Sequence, residues 1–388
     1  LVVGLSNEPL SLRDDNSKVV KMVKTICEIG PRNLDAVSRS VGVPKETARY
    51  WYRNWLLGSG FTIHASIDYE KIGLNCVILV MKLEEEFSKQ ADKVFAALRE
   101  HCNVENYNTT VPFGICFAQL FVPKEQVREL IEFTKSIQGK GVFRSIRAYA
   151  AKWHRDVPMR AEYFDFSHHI WDFDWGHMKP HYDRSAEPRE ARKIKIDIND
   201  VKILRELQVD ATRDNVWISK ALGIHGKTIA HRLKNHIAKS GLILGYRLDW
   251  SHTDYESEKE AARVGKHRYS EFNIMARDLA EPEKKRVIAT FSQFPFISAE
   301  AVGIDFYYAR GAFPTDRLYD MFSSLKGIGE GLSDRLELHV IDSTLPFNVS
   351  GLLSTLFNNH NKRWTFDSIR LKSRFENLAK GTWPKTRS

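Results

Sequence analysis

The sequence predicts an α+β protein, a duplicated winged helix-turn-helix in which each copy is followed by a ferredoxin-like βαββαβ domain. Three observations predict it. The chain aligns with itself without a gap at an offset of 181 residues, Cys27–Phe61 lying on Gln208–Leu242. Within each repeat two short helical stretches flank a glycine turn, and the second stretch is basic. Downstream of each repeat, strand-like and amphipathic stretches return in one order, βαββαβ.

In the repeat, Arg32 falls on Arg213, Ser38 on Ser219, Gly42 on Gly223, Val43 on Ile224 and Thr47 on Thr228. Arg53 meets Lys234, Asn54 meets Asn235, and Val20, Val23 and Ile26 meet Val201, Leu204 and Leu207. Ser17 is expected to cap a first helix ended by Gly30-Pro31. Asn33 caps a second, Leu34–Val41, stopped by Gly42 at a position suited to positive φ. Pro44 opens a third, which runs to Leu57. The second copy repeats this as Asp200–Gln208, Asn215–Leu222, a turn at Gly223 and His225–Ser240, with a wing over Leu242–Leu248.

The first βαββαβ run reads as a strand over Leu74–Leu83, a helix over Phe87–His101 and strands over Val104–Val111 and Phe113–Val122. A helix over Lys124–Ile137 and a strand over Val142–Tyr149 complete it. The second run is Tyr269–Ala276, Glu281–Phe294, Ile297–Val302, Phe306–Ala312, Thr315–Leu325 and Arg335–Ile341, with the charged stretch Ser251–Lys266 read as an insertion before it. The expected domains are therefore 15–68 and 194–250 (winged helix-turn-helix) and 69–150 and 251–342 (ferredoxin-like). An aromatic, histidine-rich connector, 151–193, joins the halves, and a basic extension, 343–388, ends the chain.

Composition narrows the function classes. Of 388 residues, 43% are hydrophobic and 28% charged, a globular balance. No apolar run reaches the ~18 residues of a membrane-spanning helix, so no membrane partner is expected. The start, Leu1-Val2-Val3-Gly4-Leu5, lacks a basic leader, and the expected localisation is cytoplasmic. Cys27, Cys76, Cys102 and Cys116 form no C-x-x-C pair and are read as reduced core residues. The net charge of +9 favours a polyanionic partner, more so because the excess is local. Ile224–Gly241 holds Lys227, Arg232, Lys234 and Lys239 with no acid, and Pro346–Ser388 is strongly basic. That basic tail is either a further DNA contact or a docking helix. The connector histidines (His154, His168, His169, His177, His181) invite a metal. Pro180 breaks the His177-x-x-x-His181 spacing and no cysteine is near, so no metal and no cofactor is expected.

Ile198–Leu207 (INDVKILREL), Ile218–Ile224 (ISKALGI) and Lys239–Tyr246 (KSGLILGY) supply the motifs of a known family, as does Asp68–Leu74 (DYEKIGL). The chain resembles the Lrp/AsnC, or feast/famine, transcription regulators, as two fused tandem copies over roughly 15–150 and 195–342. The resemblance implies DNA binding, transcription regulation, RAM-type β-domains, nucleoid association and a homodimer or, here, an intramolecular pseudo-dimer. It also implies a small-molecule effector such as an amino acid. The family's G-x-x-D survives only in shortened form as Gly303-Ile304-Asp305, which makes Gly303 and Asp305 the effector candidates, although Gly303 reads first as a hairpin turn residue.

A recognition helix offers its N-terminal half and one face to the major groove. The DNA-binding candidates are Lys45, Thr47, Arg49, Tyr50 and Arg53 in the first copy, with Trp51, Trp55 and Leu56 inward. In the second they are His225, Lys227, Thr228, His231, Arg232, Lys234 and Asn235. Arg32 and Arg213, ahead of the second helix in each copy, are phosphate candidates. No nucleophile elbow, Walker loop, dinucleotide fingerprint or H-E-x-x-H occurs, so the expectation is not an enzyme. Two alternatives stand beside the regulator. One is an architectural chromatin protein with little sequence choice. The other is an enzyme similar to the sirohaem decarboxylases, which resemble Lrp/AsnC proteins in fold but carry a wing arginine pair absent from Phe61–His64 and Leu242–Gly245.

Overall fold

A computed structural model describes residues 12–166, 170–175, 193–250, 269–329, 331–332, 334–342, 348–349 and 351–382. The expected insertion 251–266 and the histidines His168, His169, His177 and His181 lie outside the described residues.

The first half opens with α1 (Leu12–Ile29), α2 (Leu34–Val41) and α3 (Lys45–Tyr50). Asn33 caps α2 through its side-chain oxygen, 3.1 Å from the Ala36 amide. Gly42 then turns the chain at φ 78°, and Gly223 does the same in the second half at φ 64°. Two expectations shift here. Ser17 lies inside α1 rather than capping it, and α3 does not run on as a regular helix. Its continuation, Trp51–Leu56, is one π-helical turn. Trp51 and Leu56 are buried, and Trp51 stacks on Trp55 at 5.2 Å.

Beyond lie β1 (Phe61–Ile67), β2 (Leu74–Leu83), α4 (Ala91–His101), β3 (Asn103–Val111), β4 (Ile115–Pro123), α5 (Val127–Ile137) and β5 (Phe143–Ala150). The connector supplies β6 (Trp153–Asp156), β7 (Phe164–Asp165) and β8 (Ile170–Trp171). The second half repeats the order: α6 (Ile198–Val209), α7 (Asn215–Leu222), α8 (Gly226–Arg232) with a π turn over Leu233–Ala238, then β9 (Ile243–Trp250). It continues with β10 (Tyr269–Ala276), α9 (Glu281–Phe291), β11 (Ile297–Val302), β12 (Tyr307–Pro314), α10 (Leu318–Gly329) and β13 (Leu336–Ile341). Short strands β14 (Asn348–Val349), β15 (Phe357–Asn358) and β16 (Arg363–Trp364) lead into α11 (Ser368–Ala379).

Each wing was expected beside its own helices. Instead β1 and β9 pair with each other, antiparallel, from Phe61↔Trp250 to Ile67↔Ile243. The helices cross over this ribbon: α1 packs on β9 and α6 on β1. The two trihelical units are thereby interlocked. Arg32 fastens them further, donating to Asn215 Oδ1 at 3.2 Å and to the Ala211 carbonyl.

The other strands form one ten-stranded sheet, β5-β2-β4-β3-β13-β10-β12-β11-β6 with β14 beside β3. Each half contributes its strands in the order 4-1-3-2, and the halves meet where Thr110 and Val111 pair with Ile341 and Val340. The β6 strand, two residues beyond β5, closes onto β11. The sheet's inner faces also meet, Phe117 lying 6.2 Å from Tyr308. Helices α4 and α5 cover the outer face of the first half, and α11 packs over both. Phe375 meets Phe143 edge-on at 4.8 Å. The C-terminal helix is thus the docking helix of the two readings. The connector packs as an ordered element where it is described, with Phe164 and Phe166 against Phe61 and with Trp171, Phe173 and Trp175 around Phe296. All four cysteines are buried and unpaired.

Candidate functional site

The exposed faces of the two trihelical units differ in how far their charges are committed inside the molecule. In the first unit Lys45 is bridged to Asp35 at 2.7 Å and Arg49 to Glu46 at 2.7 Å. Tyr50 and Arg53 are exposed, and Thr47 is half-buried. In the second, His225, Lys227, Thr228, His231, Lys234 and Asn235 are all exposed, with no carboxylate among them. His225 caps α8, its Nδ1 accepting from the Lys227 amide at 3.2 Å. Asn235 and His231, one turn apart, touch at 3.1 Å.

Arg232 is the exception on that face. Its guanidinium turns inward to Asp197 at 2.7 Å and Asp200 at 2.9 Å, and its side chain is 16% exposed. Burial pushes its pKa down, but the bonds to the two carboxylates outweigh that and hold it above the ordinary value. The two expected phosphate arginines are likewise engaged. Arg32 bridges the units, and Arg213 is paired with Glu206 and Asp210 while its guanidinium lies 3.8 Å over the Trp217 ring. Lys220 on α7 and Lys239 after the π turn are exposed as well and were not counted among the DNA-binding candidates. Lys239 lies in the acid-free run and was findable there.

Gly303 and Asp305 form the β11–β12 turn. The Lys284 ammonium, itself buried, donates to the Gly303 and Ile304 carbonyls at 3.3 and 2.6 Å. A Cβ on Gly303 would lie 2.0 Å from the Phe306 ring. The glycine is required by this close approach, and the turn's inward carbonyls are already bound.

Between the ribbon and the sheet lies a ring of buried polar groups that the sequence reading did not find. Gln208 on α6 donates to the Tyr69 hydroxyl at 2.6 Å, and Tyr69 to Glu105 at 3.3 Å. Gln119 Nε2 lies 2.6 Å from Glu105 and 2.8 Å from His154 Nε2. Asp156, two residues on, pairs with Arg247 at 2.8 Å, and Arg247 with Asp249 at 2.8 Å. His64 closes the ring, its Nδ1 on the Gln208 carbonyl at 2.8 Å and Nε2 3.8 Å from Asp249. Burial, then the charge of Asp156, pushes the Glu105 carboxyl up to about 8. Burial pulls His154 down to about 4. These residues come from six elements and the β1–β2 turn, far apart in sequence, and each is unremarked in its own window. A crevice beside the ring, too tight for a water molecule, is lined by Glu105, Asn106, Gln119, Arg247, Ala299 and Arg310.

No protein-family model and no curated protein matches this chain. Among solved structures it is similar to the siroheme decarboxylase NirDL, at 10% identity over 94% of this chain and 99% of that one, with a TM-score of 0.46. The same enzyme in co-complex with an iron-uroporphyrin III analogue matches at 9% identity over the same shares, with a TM-score of 0.48. PH0061 matches 40% of this chain over 99% of its own length, at 16% identity and a TM-score of 0.29. In the described residues, no helix is long and apolar enough to cross a membrane.

Proposed function

We propose that the chain is a double-stranded-DNA-binding regulator of Lrp/AsnC type that reads DNA chiefly with α8 and the π turn after it. The observation that carries this reading is the exposed, carboxylate-free face of Lys227, Thr228, His231, Lys234 and Asn235. Lys227 and Lys234 have no carboxylate partner among the described residues, whereas Lys45 and Arg49 must first leave Asp35 and Glu46 to meet phosphate. Asn235 and Thr228 are the side chains suited to base edges. Because the ribbon and Arg32 lock the units together, the second unit presents its face at a fixed angle to the first, and the two unlike faces call for an asymmetric DNA site. Arg232 is left out of the interface, since its charge is spent on Asp197 and Asp200.

The test is fluorescence anisotropy on duplex DNA across a salt series. Lys227→Ala with Lys234→Ala should weaken binding on every duplex and flatten the salt slope by about two units, about one per charge. Arg49→Ala with Arg53→Ala should do less. If the second pair abolishes binding while the first leaves it unchanged, the ranking of the units is wrong. Equal affinity for all duplexes would favour the architectural alternative.

The enzyme alternative has less support from the packing. Tyr69 and Phe121 stack at 3.4 Å in the space between ribbon and sheet, and the crevice beside the polar ring has no room for a water molecule, whereas ordinary ligand pockets hold ~300–1,000 Å³.

A further inference from the structure

Three donor groups of metal-binding type converge at the seam where β6 joins the second half's sheet. His154 and Asp156 are two residues apart on β6 and share a face, and Glu105 reaches them from β3. One donor atom from each lies within 4.8 Å of the others. The side chains are almost wholly enclosed: 9% exposed for His154, 10% for Glu105 and 6% for Asp156.

The amide nitrogen of Gln119 lies between two of the three, 2.6 Å from Glu105 Oε2 and 2.8 Å from His154 Nε2, while Asp156 is turned to Arg247. A carboxamide NH₂ carries two electropositive hydrogens, so a carboxylate oxygen and an imidazole lone pair both aim at one spot that holds partial positive charge. For this, His154 must be neutral with its proton on Nδ1, the state in which Nε2 binds metals. Arg247 and Arg310 are the cations beside the site, and both act on Glu105 and His154. Arg247 is shared between Asp156 and Asp249 at 2.8 Å each. Glu105 and Asp156 face each other in a low-dielectric interior, an arrangement that a cation between them would relieve.

We propose that Glu105, His154 and Asp156 bind one divalent transition-metal cation, with Gln119 turning its carbonyl oxygen inward as a fourth donor. One imidazole nitrogen with carboxylate oxygens suits zinc, manganese, iron, cobalt or nickel and disfavours magnesium and calcium, which take oxygen ligands. Tetrahedral bonds of about 2.1 Å place donors about 3.4 Å apart, so the three groups draw together on binding. The crevice lined by Glu105, Asn106 and Gln119 is too tight for a water molecule, so the cation takes the place of the carboxamide nitrogen as Gln119 turns its oxygen inward.

The test uses the full chain, stripped with chelator and titrated with Zn²⁺ by calorimetry in the absence of DNA, with Mg²⁺ as control. It therefore stands or falls apart from the DNA-binding reading. One equivalent of Zn²⁺ should bind, with Mg²⁺ silent. Glu105→Gln and His154→Asn, both near-isosteric, should each weaken binding by about 100-fold or more. Co²⁺ in place of Zn²⁺ should give visible absorption bands that His154→Asn removes. No Zn²⁺ uptake by the wild-type chain, or uptake unchanged in both variants, would overturn the proposal. If the variants do not fold, wild-type thermal unfolding decides. A cation bound to the native state raises the Tm, and a Tm unmoved by one equivalent of Zn²⁺ would overturn the proposal equally.

Discussion

Arg232 shows why residue type and helical position do not settle a side chain's task. In the sequence it stands in a basic, acid-free run and has every mark of a DNA contact. Its partners, Asp197 and Asp200, lie more than thirty residues upstream, and only the fold brings them to 2.7 and 2.9 Å. Arg232→Ala should therefore act on stability first, lowering it by about 1–3 kcal/mol through the lost charge-assisted hydrogen bonds. Lys227→Ala, fully on the surface, should change stability by no more than about 0.5 kcal/mol. Urea denaturation of both variants checks this. Arg232→Ala as stable as wild type would return that residue to the interface. Gly303→Ala is a second residue-scale case. The Phe306 ring blocks a Cβ, so a stability loss of about 1–3 kcal/mol is expected in the same measurement. The polar ring from Gln208 to His154 was not legible at this scale, because no local pattern links a tyrosine in a turn, a glutamine on a helix, and a glutamine and a histidine on separate strands.

At the scale of elements, much was legible. Leu74–Leu83 was readable to the residue because its apolar run is broken only by Asn75 and Lys82, Ile297–Val302 because Ile297, Ala299 and Ala301 alternate with polar residues, and α2 and α7 because a capping Asn or Asp and a stopping glycine bracket each one. The π turns at Trp51–Leu56 and Leu233–Ala238 were not legible, since the side-chain pattern that fits an i→i+4 ladder also fits a single i→i+5 turn. Nor was the partner of β1, because alternation with period two is the same whichever strand lies alongside. The tail of the chain could be read as a DNA contact or as a docked helix, and burial decides it. Leu371, Phe375 and Leu378 are inside, against Phe133 and Phe143. Phe375→Ala should cost about 3–5 kcal/mol in unfolding free energy while DNA affinity at fixed salt stays as in wild type. A parallel loss of affinity in the folded variant would mean that α11 also serves the DNA face.

For the whole molecule, the interlocked ribbon makes the two trihelical units one body with unlike faces. A homodimer of half-length subunits would present identical faces and prefer a palindrome, whereas this chain carries both within one polypeptide. Arg32→Ala removes the bond to Asn215 but leaves the β1–β9 ribbon, so the units should stay paired. The expected result is a modest loss of DNA affinity with unchanged salt slope, because a positioning group and not a phosphate contact has gone. A salt slope flattened by a full unit would instead place Arg32 on the DNA. The central claim, sequence-selective binding led by α8, is tested most directly by enriching duplexes from a randomised pool on the wild-type chain and sequencing them. One non-palindromic motif should emerge, and its stronger half should lose enrichment when Asn235→Ala is used as bait. A pool that stays random after several rounds, or a motif untouched by Asn235→Ala, would contradict it.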